Sequence, residues 1–200
     1  MKVVIIDYLG GNLFSILKAF KYIGVETIVS KNPEDWFRGD AVVFPGQGNF
    51  AQAISELKKD SRDKALKEIL KNKYFLGICL GLQILFEESE ESKLEKGLGV
   101  FKGKVKKLPA KKIPHLGWNN VEFEKQGRLL NGIPNNSFFY FVHSYYVNPE
   151  DDVVIGLTEY SIKFPSYIER ENIFGVQFHP EKSSSCGIKL LENFIKECKK

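Results

Sequence analysis

Two short segments hold residue types that do chemistry together. Gly77-Ile78-Cys79-Leu80-Gly81 places a thiol between two glycines, each two residues away. An apolar run over 74–78 leads into it, and a helix-like stretch over 82–88 leads out. A nucleophile at a sharp strand-to-helix turn is the layout of a nucleophile elbow, here with sulfur in place of a hydroxyl. Glycines at that spacing let the strand and helix backbones pass close together. Backbone N–H groups at the helix start stabilise negative charge beside them, on a thiolate or on an oxyanion. One hundred residues later, His179-Pro180-Glu181 supplies an imidazole and a carboxylate two residues apart. Proline keeps the residue before it extended, so His179 and Glu181 are expected on one side of the chain. Nucleophile, base and orienter are the parts of a covalent acyl-transfer site.

The elements that must position these residues alternate between strand and helix in the first half. Residues 3–6 form a continuous apolar run, the pattern of a strand buried on both faces. Further strands are predicted over 27–29, 41–44 and 74–78. Between them fall helices: one with Leu13, Ile16, Leu17 and Phe20 on one face, one near 49–57, and one from Ser61 carrying Leu66, Ile69 and Leu70. That order implies an α/β fold with a central, mostly parallel sheet flanked by helices. From Leu98 the pattern changes to short alternating runs split by Gly, Pro and Asn: 100–108, 121–123, 138–147, 155–158 and 164–169. A hairpin turn at 170–172 leads into 173–178. These runs are expected to extend the sheet with antiparallel strands. A last helix carries Ile188, Leu191, Ile195 and Cys198 on one face. Ligands of open α/β sheets gather at the carboxyl ends of the strands. The Gly10-Gly11-Asn12 turn, the Pro45-Gly46-Gln47-Gly48 loop and Cys79 all fall there.

Composition bounds the rest. A chain of 200 residues, 43% apolar and 27% charged, suits one globular domain over 1–200. No apolar run reaches membrane-spanning length and the start reads as a strand, so neither a membrane segment nor a signal peptide is expected. Three cysteines without paired spacing argue against a disulfide framework and a zinc knuckle, and fit a reducing cytoplasm. No metal and no cofactor is expected. A net charge of +4 reads as a solvated surface, and no nucleic-acid motif is present.

Other candidates have plainer readings. Cys198 sits on the apolar face of the last helix, and Cys186 follows a serine run at that helix's start. His115 and His143 read first as structural histidines. The segment 114–119 holds Trp118, either packed at a strand edge or anchoring a contact surface. Residues 138–146 read mostly as core strand, with Ser144-Tyr145 able to present backbone groups to a ligand. The Pro45–Gly48 loop lacks the Gly-Lys-Ser/Thr of a phosphate loop. Its flexible peptides suit an N–H turned toward an oxyanion beside Cys79.

Together these residues resemble the class I, triad-type glutamine amidotransferases, and within them the glutaminase-subunit (HisH) family of imidazole glycerol phosphate synthase. The elbow, 77–83, and Gly175 to Ser183 carry the first resemblance. Ile6-Asp7-Tyr8, Gly11-Asn12-Leu13, Ser15 and Pro114-His115-Leu116-Gly117-Trp118-Asn119 narrow it, and 141–145 completes the match. The resemblance implies glutamine hydrolysis, with Cys79 as nucleophile, His179 as acid and base, and Glu181 orienting it. The oxyanion would be held by the N–H of Leu80 and one from Gln47 or Gly48. Gly48, Gln83 and the backbone of Ser144 and Tyr145 would position glutamine. It also implies a heterodimer with a (β/α)8-barrel cyclase (HisF-like), contacted through Asn12, His115, Leu116, Gly117, Trp118 and Lys182. Similar subunits serve sugar amidation, and a regulatory relative without catalysis is the reading from another class. The family's oxyanion loop usually reads Pro-Gly-Val-Gly. Here Gln47 replaces the valine, and its amide is expected to hold the loop in its resting state.

Overall fold

A computed structural model of the chain describes residues 1–8 and 13–200. The first half contains β1 (Lys2–Ile6), α1 (Leu13–Tyr22), β2 (Glu26–Ser30), α2 (Pro33–Arg38), β3 (Ala41–Phe44), α3 (Phe50–Lys58), α4 (Arg62–Asn72), β4 (Tyr74–Ile78) and the single turn α5 (Leu80–Gln83). The second half contains β5 (Phe86–Ser89), β6 (Phe101–Lys107), β7 (His115–Phe123), β8 (Ser137–His143), β9 (Tyr145–Pro149), β10 (Val154–Tyr160), β11 (Ile162–Arg170), β12 (Ile173–Val176) and α6 (Ser184–Glu197).

Among the described residues, nine strands form one sheet in the order β2-β1-β3-β4-β12-β11-β10-β7-β8. β1 to β4 and β12 run parallel, and β11, β10, β7 and β8 add antiparallel pairs, so the α/β expectation holds. The continuous apolar runs have the cause the sequence suggested. Val3 and Ile5 pack on one face with Phe20 of α1 and Phe194 of α6. Val4 and Ile6 pack on the other with Trp36 of α2, Ile54 of α3 and Leu66 of α4. Each strand position is thus covered by one helical layer or the other.

Four expectations are corrected. The stretch 82–88 is not a helix: α5 ends at Gln83 and residues 86–89 are β5. Ile84, Leu85 and Phe86 are fully buried, and the 84–87 backbone bonds to 97–101, with the Leu98 N–H on the Ile84 carbonyl and the Val100 N–H on that of Leu85. An apolar run enclosed on all sides has no period to separate helix from strand. Secondly, β5, β6 and β9 do not extend the main sheet but form a separate one, with β5 parallel to β6. Thirdly, 138–147 is two strands in two sheets, broken at Ser144. Lastly, the strand expected over 173–178 ends at Val176. α2 was not anticipated; its Pro33 at the start and Glu34 and Asp35 in the first turn are ordinary helix-start signals.

Candidate active site

β4 lies between β3 and β12 and runs parallel to both. The carboxyl ends of these three strands therefore open side by side. That register brings the 45–48 loop, Cys79 and the 177–181 segment to one edge.

Cys79 sits at φ 52°, ψ −102°, a backbone conformation that L-residues rarely adopt. Strain of this kind costs on the order of 1–3 kcal/mol and must be held by its surroundings. The holding is visible: the Cys79 N–H donates to the Val176 carbonyl at 2.7 Å, and the Cys79 carbonyl accepts from Leu82 and Gln83, both at 3.1 Å. A Cβ on Gly77 would stand 2.4 Å from the Gly81 oxygen, and one on Gly81 would stand 2.2 Å from the Phe44 oxygen. Both glycines of the elbow are there because backbones touch. Cys79 as a whole is 7% exposed.

His179 is delivered by a different anchor. Its N–H donates to the Tyr140 carbonyl of β8 at 2.8 Å, and its carbonyl accepts from Ser183 Oγ at 2.6 Å. The chain beyond it is a 3-10 turn, Pro180–Lys182, not extended backbone. The pairing survives: His179 Nδ1 lies 2.8 Å from Glu181 Oε1. Burial alone would lower the imidazole's pKa, but the Cys79 sulfur and the Glu181 carboxylate reverse that and hold it at about 10. Nε2 of His179, the nitrogen not held by Glu181, is buried; the Cys79 sulfur is near enough to favour its proton, but no hydrogen bond of full geometry is made there. A buried nitrogen of this kind marks a group waiting for a proton partner.

Beside Cys79 is a cavity of about 370 Å³, at the small end for ligand sites. Its walls include Gly48, Cys79, Leu80, Gln83, Ser144 and Tyr145, and Glu91 from the small-sheet side. Every residue the sequence assigned to glutamine or to the oxyanion thus reaches one cavity. Two further residues were missed. Gln177 Nε2 donates to Cys79 Sγ at 3.4 Å. Tyr8 holds the loop: the Gln47 N–H donates to its hydroxyl at 3.0 Å, and that hydroxyl donates to the Gln47 carbonyl. The restraint seen on this loop is thus on the Gln47 backbone and comes from Tyr8, a different contact from the side-chain one expected. Parallel pairing of β1 with β3 was the available signal, since it places the residues after both strands together.

The 115–118 segment divides. Leu116 is 62% and Trp118 53% exposed on β7, but His115 is 3% exposed. His115 therefore cannot meet a partner directly; it turns inward and bonds His143. Phe138 and Tyr140 of β8 share the outer face, with Trp118 opposite Tyr140 at 6.1 Å between ring centres. Phe138 is 59% exposed, so β8 is only half core. Lys182 Nζ lies 5.9 Å from the centre of the Tyr140 ring and joins this patch. Gly117 is part-buried between Leu116 and Trp118. Asn12 lies outside the described residues.

The chain belongs to the glutamine amidotransferase class-I family, whose pattern spans residues 4–198. Within that class it is 49% identical over 192 residues to the imidazole glycerol phosphate synthase subunit HisH of Methanocaldococcus jannaschii, covering 96% of this chain and 97% of that protein. The HisH subunit of Bacillus cereus (strain B4264) is 45% identical over 194 residues, covering 96% of this chain and 93% of that one. The crystal structure of a glutamine amidotransferase from Thermotoga maritima has the same fold, with a TM-score of 0.67 at 20% identity, over 100% of this chain and 84% of that one.

Proposed function

We propose that this chain is the glutaminase subunit of an imidazole glycerol phosphate synthase of the HisH type, one domain over 1–200, working in the cytoplasm. The observation that carries the chemistry is the strained Cys79 beside a buried imidazole. That imidazole's outer nitrogen makes no hydrogen bond of full geometry and its inner one is held by Glu181. Among the described residues no helix is long and apolar enough to cross a membrane.

The mechanism follows from those positions. The Cys79 thiolate attacks the side-chain carboxamide carbon of glutamine and forms a C–S bond. The carbonyl electrons move onto oxygen, where the N–H of Leu80 and one from Gln47 or Gly48 receive the charge. His179 gives its Nε2 proton to the departing nitrogen, the C–N bond breaks, and ammonia leaves a thioester. Neutral His179 then takes a proton from water. Hydroxide adds to the thioester, the C–S bond breaks, and glutamate and the thiolate result. Gln83, Gly48 and the backbone of Ser144 and Tyr145 hold the substrate. Glu91, acidic on the cavity wall, suits its ammonium group.

In this state the Gln47 N–H is engaged by Tyr8 and so is not offered to the oxyanion. A partner that frees the loop would turn hydrolysis on. Ammonia released into water becomes ammonium, which is not a nucleophile, so the product needs a sheltered route to its acceptor. A (β/α)8-barrel cyclase docked on Leu116, Gly117, Trp118 and Lys182, with Asn12, meets both needs. His115 then acts from beneath that face. The test is co-purification with the barrel subunit, then glutamine hydrolysis assayed with and without it. Full activity of the isolated chain, or no barrel companion, would overturn the subunit reading.

A further inference from the structure

Beneath the outer face of β7 and β8 runs a hydrogen-bond chain with one consistent direction. Asn119 Oδ1 accepts the Asn120 N–H at 2.9 Å, and Asn119 Nδ2 donates to the Glu159 carbonyl at 2.9 Å. These two contacts fix which end of the amide is nitrogen. Its second N–H must then donate to His115 Nε2, 3.2 Å away. His115 consequently carries its proton on Nδ1, which donates to His143 Nε2 at 3.0 Å. His143 in turn carries its proton on Nδ1, which donates to the Tyr145 carbonyl at 2.8 Å. One tautomer of each ring satisfies every contact. Burial keeps both rings neutral, with pKa values lowered to about 4 for His115 and about 3 for His143. His115 is clamped between Phe141 and Tyr160, ring centres 4.7 and 4.1 Å away.

The same carbonyl of Tyr145 is reached from the nucleophile's side. Gln83 Nε2 donates to it at 3.0 Å and to Gln177 Oε1 at 3.1 Å. Gln177 Nε2, its orientation thereby set, donates to Cys79 Sγ at 3.4 Å. Two donor chains, one from β7 and one from α5, thus meet on one backbone oxygen, at the segment that lines the cavity.

From this juxtaposition we propose that His115 and His143 are positioning residues. As a fixed-tautomer pair they hold the Tyr145 peptide in the geometry that seats glutamine, and through Gln83 and Gln177 they set the hydrogen bond to the Cys79 sulfur. The proposal rests on the glutaminase reading for its kinetic consequence but not for the geometry. If His143 no longer donates, Tyr145 shifts, Gln83 loses a fixed acceptor and the Gln177 amide is free to turn from the sulfur.

The test uses three variants of the complex with its barrel subunit. His143→Phe keeps a ring but removes the donor; His143→Asn keeps an N–H near the Nδ1 position; His115→Phe removes the tautomer constraint. We expect KM for glutamine in His143→Phe to rise about three- to tenfold, the worth of one hydrogen bond, with kcat changed less. His143→Asn should recover most of the loss, and His115→Phe should lie between. A fall in melting temperature with unchanged KM and kcat would overturn the proposal and leave a purely structural pair. Two readouts are independent of turnover: ring ¹⁵N spectra of the wild-type protein, and iodoacetamide alkylation of Cys79. Both rings should appear as Nδ1–H tautomers, and alkylation should change at least threefold in His143→Phe. Nε2–H tautomers with unchanged alkylation would refute the relay even in an active enzyme. If the wild type fails to hydrolyse glutamine while these two readouts hold, the glutaminase reading fails and the positioning geometry stands.

Discussion

The two halves of the large sheet are built differently, and each supplies a different part of the site. In the parallel half, β1, β3 and β4 are buried on both faces. That half contributes the fixed parts: the strained Cys79 and the crowded glycines around it. In the antiparallel half, β7 and β8 bury one face and expose the other, with Phe139 and Phe141 inside and Phe138 outside. That half contributes His143, which donates to the Tyr145 carbonyl of the small sheet, the anchor of His179 on Tyr140, and the Trp118 patch. The histidines follow the same division. His179, next to sulfur and carboxylate, is held protonated. His115 and His143, packed among aromatic rings, are held neutral. A nucleophile tolerates no play, so it sits where packing is two-sided. The patch offered to a partner sits where one face is still free.

The sharpest way to break this comparison is at the fixed part. Cys79→Ala should lower glutamine hydrolysis by about 10⁴-fold or more, since a covalent step has no substitute. Partner binding should be unchanged, and ammonium supplied at high pH should still feed the partner's reaction. Residual hydrolysis near wild type would show that the parallel half is scaffold only.

The histidine contrast predicts opposite pH signs. His115 and His143 have folded pKa values below the unfolded value of about 6.5, so the unfolded chain binds more protons from about pH 6.5 down to about 4 for His115 and about 3 for His143. Their stabilising contribution is complete above 6.5 and is lost as pH falls, by up to about 1.4 kcal/mol per pH unit for each ring. His179 has the reverse sign: its contribution is present below 6.5 and is lost as pH rises through about 10. Urea midpoints across this range, in wild type and His115→Phe, check both limbs. An acid limb that is equally steep in the variant would contradict the assignment.

Trp118→Ala tests the free face. Half exposed, the indole contributes little to the isolated fold, so the melting temperature should hold. Partner affinity should weaken by about 30-fold, equivalent to about 2 kcal/mol at an interface centre. A large drop in melting temperature with unchanged affinity would make Trp118 a core residue after all.

The smallest effect is expected at the joint between the fixed half and the cavity. Tyr8→Phe removes the hydroxyl that holds the Gln47 peptide on both sides. Partner-free hydrolysis should rise about tenfold, the equivalent of about 1.4 kcal/mol, with little change in the fully activated rate. Unaltered partner-free turnover would show that the loop is restrained elsewhere.

How much of this was legible in sequence also follows the two halves. Strands buried on both faces leave unbroken apolar runs, so β1, β3 and β4 and the elbow between β4 and α5 were readable. The His179–Glu181 pair was readable from spacing, although the turn between them is 3-10. Buried helix and buried strand look alike from composition, so β5 was missed. In 138–142 every residue is apolar, and alternation leaves no mark when both faces carry rings; Phe138 therefore read as core. The Tyr8–Gln47 contact and the Asn119-to-Tyr145 chain depend on pairing between segments distant in sequence. No local pattern reports such pairing.

The seat of His179 has one more consequence. β8 ends the large sheet, and at Tyr140 its outward N–H and carbonyl are taken by Ser183 Oγ and the His179 N–H. An open strand edge invites another strand to add, the first step toward aggregation. The segment that holds the imidazole is therefore also the cap on that edge. Damage at Ser183 should register first as sticky, self-associating protein and only then as slow enzyme.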